Sequence, residues 1–179
     1  NIKSATGVEL RNECLTHIKK KFKKIFVTNN ITNLNKNFDV ITLFHILEHI
    51  PYQVDTLRAL KQKLSENGKI IIEVPSAQDL LLNSESLDKF KNFTFWSEHL
   101  IIHTENSLRK VLKSSGFKNI KIIYYQRYNL NNHLGWFIEN RPGGHYFFKD
   151  VCDKTADKNY INYLVKNKKT DTLIAIASK

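Results

Sequence analysis

Apolar positions along the chain alternate between two periods. Predominantly apolar runs of strand length stand at Ala5–Leu10, at KIFVT (Lys24–Thr28), at Phe38–Phe44, at KIIIEV (Lys69–Val74), at Ile120–Tyr125 and at TLIAIAS (Thr172–Ser178). Helical spacing fills the intervals. Arg11–Phe22 can set Cys14, Leu15, Ile18 and Phe22 on one face, and Leu57, Leu60 and Leu64 keep the same rhythm from Pro51 until Asn67-Gly68. Thr104 is placed to cap SLRKVLKSSG, whose Leu108, Val111 and Leu112 face inward and which Gly116 ends. A further helix is expected near Tyr160–Val165. Strands that are apolar throughout, alternating with helices, predict an α/β fold with a mostly parallel sheet and helices on both faces.

Two stretches break the alternation. Residues 76–103 are irregular and carry the aromatic run FKNFTFW, which reads as a lid or a substrate-side insertion. Residues 126–171 form a second insertion, polar and glycine-bearing, with NNHLGWFIENRPGGH at its start. A chain of 179 residues is long enough for one well-buried core, so a single domain over 1–179 is expected.

Composition changes this picture little. Only Cys14 and Cys152 are present, with no CxxC pair, which argues against a zinc ribbon or a disulfide framework and fits a reducing cytoplasm. No apolar run reaches bilayer-spanning length. The formal charge of +11 suits an anionic partner, nucleic acid included, yet the lysines are dispersed. The densest cluster, Lys19–Lys24, falls at the end of an expected helix, where cations complement the helix dipole. A solvated basic face is the favoured account of these lysines.

The order of features carries a resemblance. An acidic residue closes GVEL; the FDVI strand runs into FHILEH; a helix ends in NG before the strand KIIIEVP; a lysine-bearing helix closes with SSGF, and DTLIAIA comes last. This order resembles the class I S-adenosylmethionine-dependent methyltransferases over nearly the whole chain. FTFWSEHLIIHT, QRYNLNNHLGW and RPGGH place it nearer the branch found with bacterial sugar and surface-polysaccharide genes. The resemblance implies a Rossmann-like sheet with an antiparallel last strand. It also implies S-adenosyl-L-methionine as cofactor and a small-molecule acceptor, a sugar or nucleotide-sugar. The family's glycine-rich loop has no counterpart, and the chain contains no methionine. The expectation is therefore that the first strand–helix unit is lacking and that an N-terminal portion precedes Asn1.

Ligands of open α/β sheets sit beyond the carboxyl ends of the strands. The resemblance assigns Glu9 to the cofactor's ribose hydroxyls, Asn30 and Ile31 to its adenine, and Phe44 and His45 to its methionine side. His45, Glu48 and His49 would share a face if their turn is helical. Three readings stay open there: a braced turn, a general base at His49 or His45, or a divalent metal, since some relatives carry ExxEH at this place. No metal site is assigned from the sequence. His99, which with His103 flanks LII, is the second candidate base, and Asn132, His133 and His145 belong to a polar loop that could approach a sugar or phosphate. The absence of NPPY or DPPY after Phe44 disfavours exocyclic amino groups of bases, leaving a hydroxyl or carbon as the acceptor. An RNA methyltransferase and a non-catalytic binding module remain the alternatives.

Overall fold

The computed structural model describes residues 2–34 and 37–179. Two short strands, β1 (Thr6–Val8) and β2 (Phe26–Thr28), pair in parallel and bracket helix α1 (Asn12–Lys21). A four-stranded sheet follows. It contains β3 (Phe38–Phe44), β4 (Leu64–Pro75), β5 (Lys118–Tyr125) and β6 (Thr172–Ser178), in the spatial order β3-β4-β6-β5. β3 and β4 are parallel, and β6 runs antiparallel to both β4 and β5. Three strands thus point one way and the last one opposes them, as the sequence predicts.

Helices α2 (Gln53–Lys63) and α4 (Glu105–Ser114) seal one face of this sheet. Leu57 and Leu60 of α2 and Leu108 and Leu112 of α4 pack with Leu43, Ile70, Ile72, Val74, Leu173 and Ala175 in a single core. Alternate residues of the sheet's other side, such as Ile71, Ile174 and Ile176, are only half-buried. The cap of α4 is the one the sequence predicts. Thr104 Oγ1 accepts from Ser107 N while Ser107 Oγ accepts from Thr104 N, which satisfies two of the helix's unpaired donors.

Three expectations need correction. The helical rhythm does not carry through Leu64: α2 ends at Lys63, and Leu64 already pairs with Phe38 in the sheet. The register then shifts before Lys69, and Gly68 takes up the close approach, since a Cβ there would lie 2.8 Å from the Phe38 carbonyl oxygen. Helix α1 buries none of its residues, and Phe22 beyond it is exposed, so its apolar stripe is only half covered. The stretch 76–103 is not wholly irregular, because it contains α3 (Asp88–Thr94), whose Phe90 packs with Leu81, Leu82, Leu87 and Trp136 in a second, smaller core.

Trp136 belongs to the segment that follows β5. There α5 (Leu130–Leu134) runs into a π turn (Gly135–Glu139), then α6 (Gly144–Phe147) and α7 (Lys154–Lys166). The glycines of RPGGH have a steric purpose. Gly143 adopts φ +98°, and a Cβ on Gly144 would fall 2.2 Å from the Asn131 carbonyl oxygen, so α5 and α6 touch backbone to backbone. No helix among the described residues is long and apolar enough to cross a membrane.

Candidate functional site

The exits of β3 and β4 carry a dense set of charges. Straight after β3, His45 adopts φ +52°, a left-handed conformation that a non-glycine residue holds only against strain of roughly 1 kcal/mol. Its amide still donates to Glu73 O at 2.9 Å, continuing the ladder, while the side chain turns back over the strand ends. There Nε2 lies 3.1 Å from Glu73 Oε1 and against the Arg127 guanidinium, and Nδ1 lies 3.3 Å from Glu48 Oε1. The carboxylate of Glu48 raises the pKa of His45 above its ordinary value, and Glu73 adds to that, against burial and the charge of Arg127.

Residues Leu47–His49 form one 3-10 turn, so His45, Glu48 and His49 do come together as their spacing suggests. Glu48 is fully buried. Its contacts with His45 and with His49 Nε2, the latter 3.9 Å away, are ion-pair approaches, and neither carboxylate oxygen is met in hydrogen-bonding geometry. The Glu48 carbonyl, by contrast, accepts from both Leu100 N (2.9 Å) and Ile101 N (3.2 Å), which fastens the 96–103 loop to the turn.

That loop delivers His99. Its Nδ1 donates to Thr94 O at 2.7 Å, and His49 Nδ1 donates to Glu98 O at 2.7 Å. The two rings stand 4.9 Å apart, with Trp96 edge-on to both. A carbonyl can only accept, so each neutral imidazole is held with its proton on Nδ1 and a lone pair on Nε2. His103 does not join them on a helical face, because no helix spans 96–103. It is buried against Ser107 Oγ (3.1 Å) with Nε2 unpartnered, and burial lowers its pKa despite the nearby charge of Glu48.

Beside these groups opens a cleft of about 760 Å³, large enough for a small-molecule substrate. His45, His99 and Arg127 line one side; Phe90, Phe93, Trp96 and Trp136 give it aromatic walls. Its polar part holds Asp79, Asn132, His133, His145 and Asp171. Burial pushes Asp79 up to about 7, with the Leu81 amide on Oδ1 opposing and Asp171 reinforcing. Burial likewise lowers His133 to about 4; Nδ1 meets Tyr160 Oη at 2.8 Å and Nε2 meets Gln126 at 3.1 Å. Asn132 Nδ2 lies 3.4 Å from His145 Nδ1, so the polar loop expected near a substrate does reach the cleft.

The residues assigned to the cofactor are more dispersed. Glu9 closes β1, its amide donating to Thr28 O and its Oε1 accepting from Arg11 N at 2.9 Å. Asn30 Oδ1 accepts from Thr32 N at 2.9 Å, capping the turn Ile31–Asn33, so that oxygen keeps one lone pair for a ligand. Ile31 packs against the main core and Phe44 is exposed at the exit of β3. Of these residues, only His45 lines the cleft. The chemistry fits an adenosine-bearing cofactor: a carboxylate with a second oxygen at a strand end, an amide beyond the next, and an exposed aromatic ring. Sequence reasoning missed Glu73, Arg127, Asp79 and Asp171 as site residues. The only signal was position, since Glu73 stands near the carboxyl end of β4 and Arg127 just beyond β5.

Comparisons with known proteins agree with this architecture. Residues 1–122 match the family described as "Methyltransferase domain". Among solved structures, the chain is similar to an S-adenosylmethionine-dependent methyltransferase of Archaeoglobus fulgidus, at 18% identity and TM-score 0.60, covering 97% of this chain and 75% of that one. It is also similar to a Thermotoga maritima S-adenosylmethionine-dependent methyltransferase described as a possible histamine N-methyltransferase, at 15% identity and TM-score 0.61, covering 98% and 72%. A third is a Haemonchus contortus phosphoethanolamine N-methyltransferase in complex with S-adenosyl-L-methionine, at 16% identity and TM-score 0.56, covering 97% and 43%. No curated protein sequence matches the chain. The match over 1–122, together with the sheet order and the charged strand exits, establishes that this chain belongs to the methyltransferase-domain family.

Proposed function

We propose that the chain transfers a methyl group from S-adenosyl-L-methionine to a hydroxyl or carbon of a small polyhydroxylated molecule, a sugar or nucleotide-sugar. The observation that supports this reading is the cleft itself: aromatic walls that can lie against the C–H faces of a sugar ring, and a polar side of carboxylate, amide and imidazole groups that can bond its hydroxyls. Glu9, Asn30, Ile31, Phe44 and His45 would hold the cofactor, which supplies the methyl group as a sulfonium already reactive towards nucleophiles. The chain's own task is then to orient the acceptor and remove one proton.

His99 is placed for the proton. It lines the cleft, and its lone pair on Nε2 is fixed by the carbonyl that holds Nδ1. His49, held the same way by Glu98 O, stands behind it as the second basic group. Asp79, with its pKa near neutrality, can donate or accept a hydrogen bond to an acceptor hydroxyl. The test is S-adenosylhomocysteine formation against a panel of sugars and nucleotide-sugars, with amines and RNA as comparison acceptors. Turnover on a sugar that falls at least 100-fold in kcat/KM in His99→Ala is the expected result. Turnover confined to amines or RNA would replace the acceptor class, and full activity of His99→Ala would remove the base.

A further inference from the structure

We infer that Glu48, His49 and His99 form a binding site for one divalent transition-metal ion, opening onto the acceptor cleft. One ligand atom from each, a ring nitrogen of each histidine and a Glu48 carboxylate oxygen, can be chosen so that all lie within 4.8 Å of one another, and His49 Nε2 is 3.9 Å from Glu48 Oε1. Ligands about 2.0–2.2 Å from a shared ion lie roughly 3.3–3.6 Å apart in a tetrahedral site, so the side chains would close slightly around it.

Three independent features point to a cation. Glu48 is wholly removed from solvent, with no hydrogen-bond partner on either oxygen, and a buried carboxylate in that condition is strongly unfavourable without a counter-charge. Each imidazole donates Nδ1–H to a backbone carbonyl at 2.7 Å, the arrangement that fixes the tautomer and orients Nε2 of metal-binding histidines. Finally, the two segments that supply the ligands are joined independently of any ion, through the paired bonds of Leu100 N and Ile101 N to Glu48 O. The site is therefore organised in advance.

The donor set decides which metal. Two imidazoles and one carboxylate suit zinc, iron, cobalt or nickel better than magnesium or calcium, which favour all-oxygen surroundings. Three protein ligands leave at least one position open, and His99 lines the cleft, so an acceptor oxygen can reach that position. This role rests on the proposed small-molecule methyl transfer. An acceptor hydroxyl held there would lose its proton more readily to solvent or to a cleft carboxylate, and both histidine lone pairs would serve the ion. The competing counter-charge is His45, whose Nδ1 lies 3.3 Å from Glu48 Oε1.

The test needs no methyl acceptor. Chelator-stripped protein would be titrated with Zn2+ by calorimetry and with Co2+ by visible absorption. Expected is one equivalent bound with a dissociation constant below about 10 µM. Binding should weaken at least 100-fold in Glu48→Gln and in His99→Ala, and remain unchanged in His17→Ala, an exposed imidazole on α1. Circular dichroism and the Tm of each stripped variant show whether it is folded. No stoichiometric binding, or equal binding by His99→Ala, would overturn the site and leave His45 as the partner of Glu48. Metal binding without turnover on sugars would instead retain the site and remove the acceptor reading.

Discussion

A half-buried and a fully buried carboxylate in this fold are treated in opposite ways. Asp171, just before β6, is surrounded by donors: Arg127 N and Tyr128 N at 3.1 Å, Gln126 Nε2 at 2.7 Å and Thr172 Oγ1 at 2.7 Å. Glu48, just after β3, has none in hydrogen-bonding geometry. Burial raises the pKa of Asp171, and those bonds restrain the rise. The satisfied carboxylate is a joint: it holds the loop after β5 against the start of β6. The unsatisfied one is where the proposed metal ion would bind; Asp171 lines the cleft, whereas Glu48 is buried behind it.

The largest expected effect separates them directly. Asp171→Ala leaves the buried Gln126 and Thr172 side chains and two exposed amides without their acceptor, and should destabilise the fold by about 2–3 kcal/mol, which lowers the Tm by roughly 5–10 °C. Glu48→Gln removes a charge met only by the looser approaches of His45 and His49, so its stability should stay within about 1 kcal/mol of the parent or rise, while methyl transfer is lost. Thermal melts of the two variants side by side decide the matter. Equal destabilisation would make Glu48 another joint.

Asp79 tests the intermediate case, with the Leu81 amide as its donor. Its pKa stands near 7 in the fold against 3.8 outside it, so the folded state retains the proton more strongly and stability falls as pH rises between those values. Asp79→Asn should therefore be more stable than the parent at pH 8 by roughly 2–4 kcal/mol, with the advantage gone below about pH 4. His133 slopes the other way. Held neutral, with a pKa of about 4, its contribution is full above pH 6.5 and is lost as pH falls towards 4. The parent should show a shallow acid limb where the two slopes oppose, and Asp79→Asn a steep one. Identical limbs in urea melts across pH 4–8 would contradict this.

The smallest effect concerns the support behind the site. Ser107→Ala removes the hydroxyl that accepts from Thr104 N and touches His103 Nδ1, and should cost about 1 kcal/mol. If metal affinity falls with it, the cap of α4 belongs to the site rather than to the fold alone.

Much of the architecture was legible in the sequence because strands and caps are local. FDVITLF and TLIAIAS become β3 and β6 at the expected residues, and Thr104 caps α4 as its spacing implies. The helix-to-strand boundary at Leu64 was not legible, since leucine satisfies both periods and the pairing with Phe38 that decides it is non-local. The trio at the site was half legible. The grouping of His45, Glu48 and His49 follows from spacing within one turn. His99 joins them only through the hydrogen bonds of a loop some fifty residues away, and the pairing with Glu73 and Arg127 depends on strand order.

The place of β6 between β4 and β5 has a consequence for the order of events on the ribosome. β4 ends at Pro75 and β6 starts at Thr172, an interval that takes synthesis roughly 5–20 s. Throughout it the inner edge of β4, which carries Ile70 and Ile72, stays open, and β5 once made has no neighbour in the sheet. The nascent chain thus carries an unpaired apolar edge until its last strand emerges, and a chaperone, or a slower codon run before Thr172, would act on that interval rather than on the finished fold.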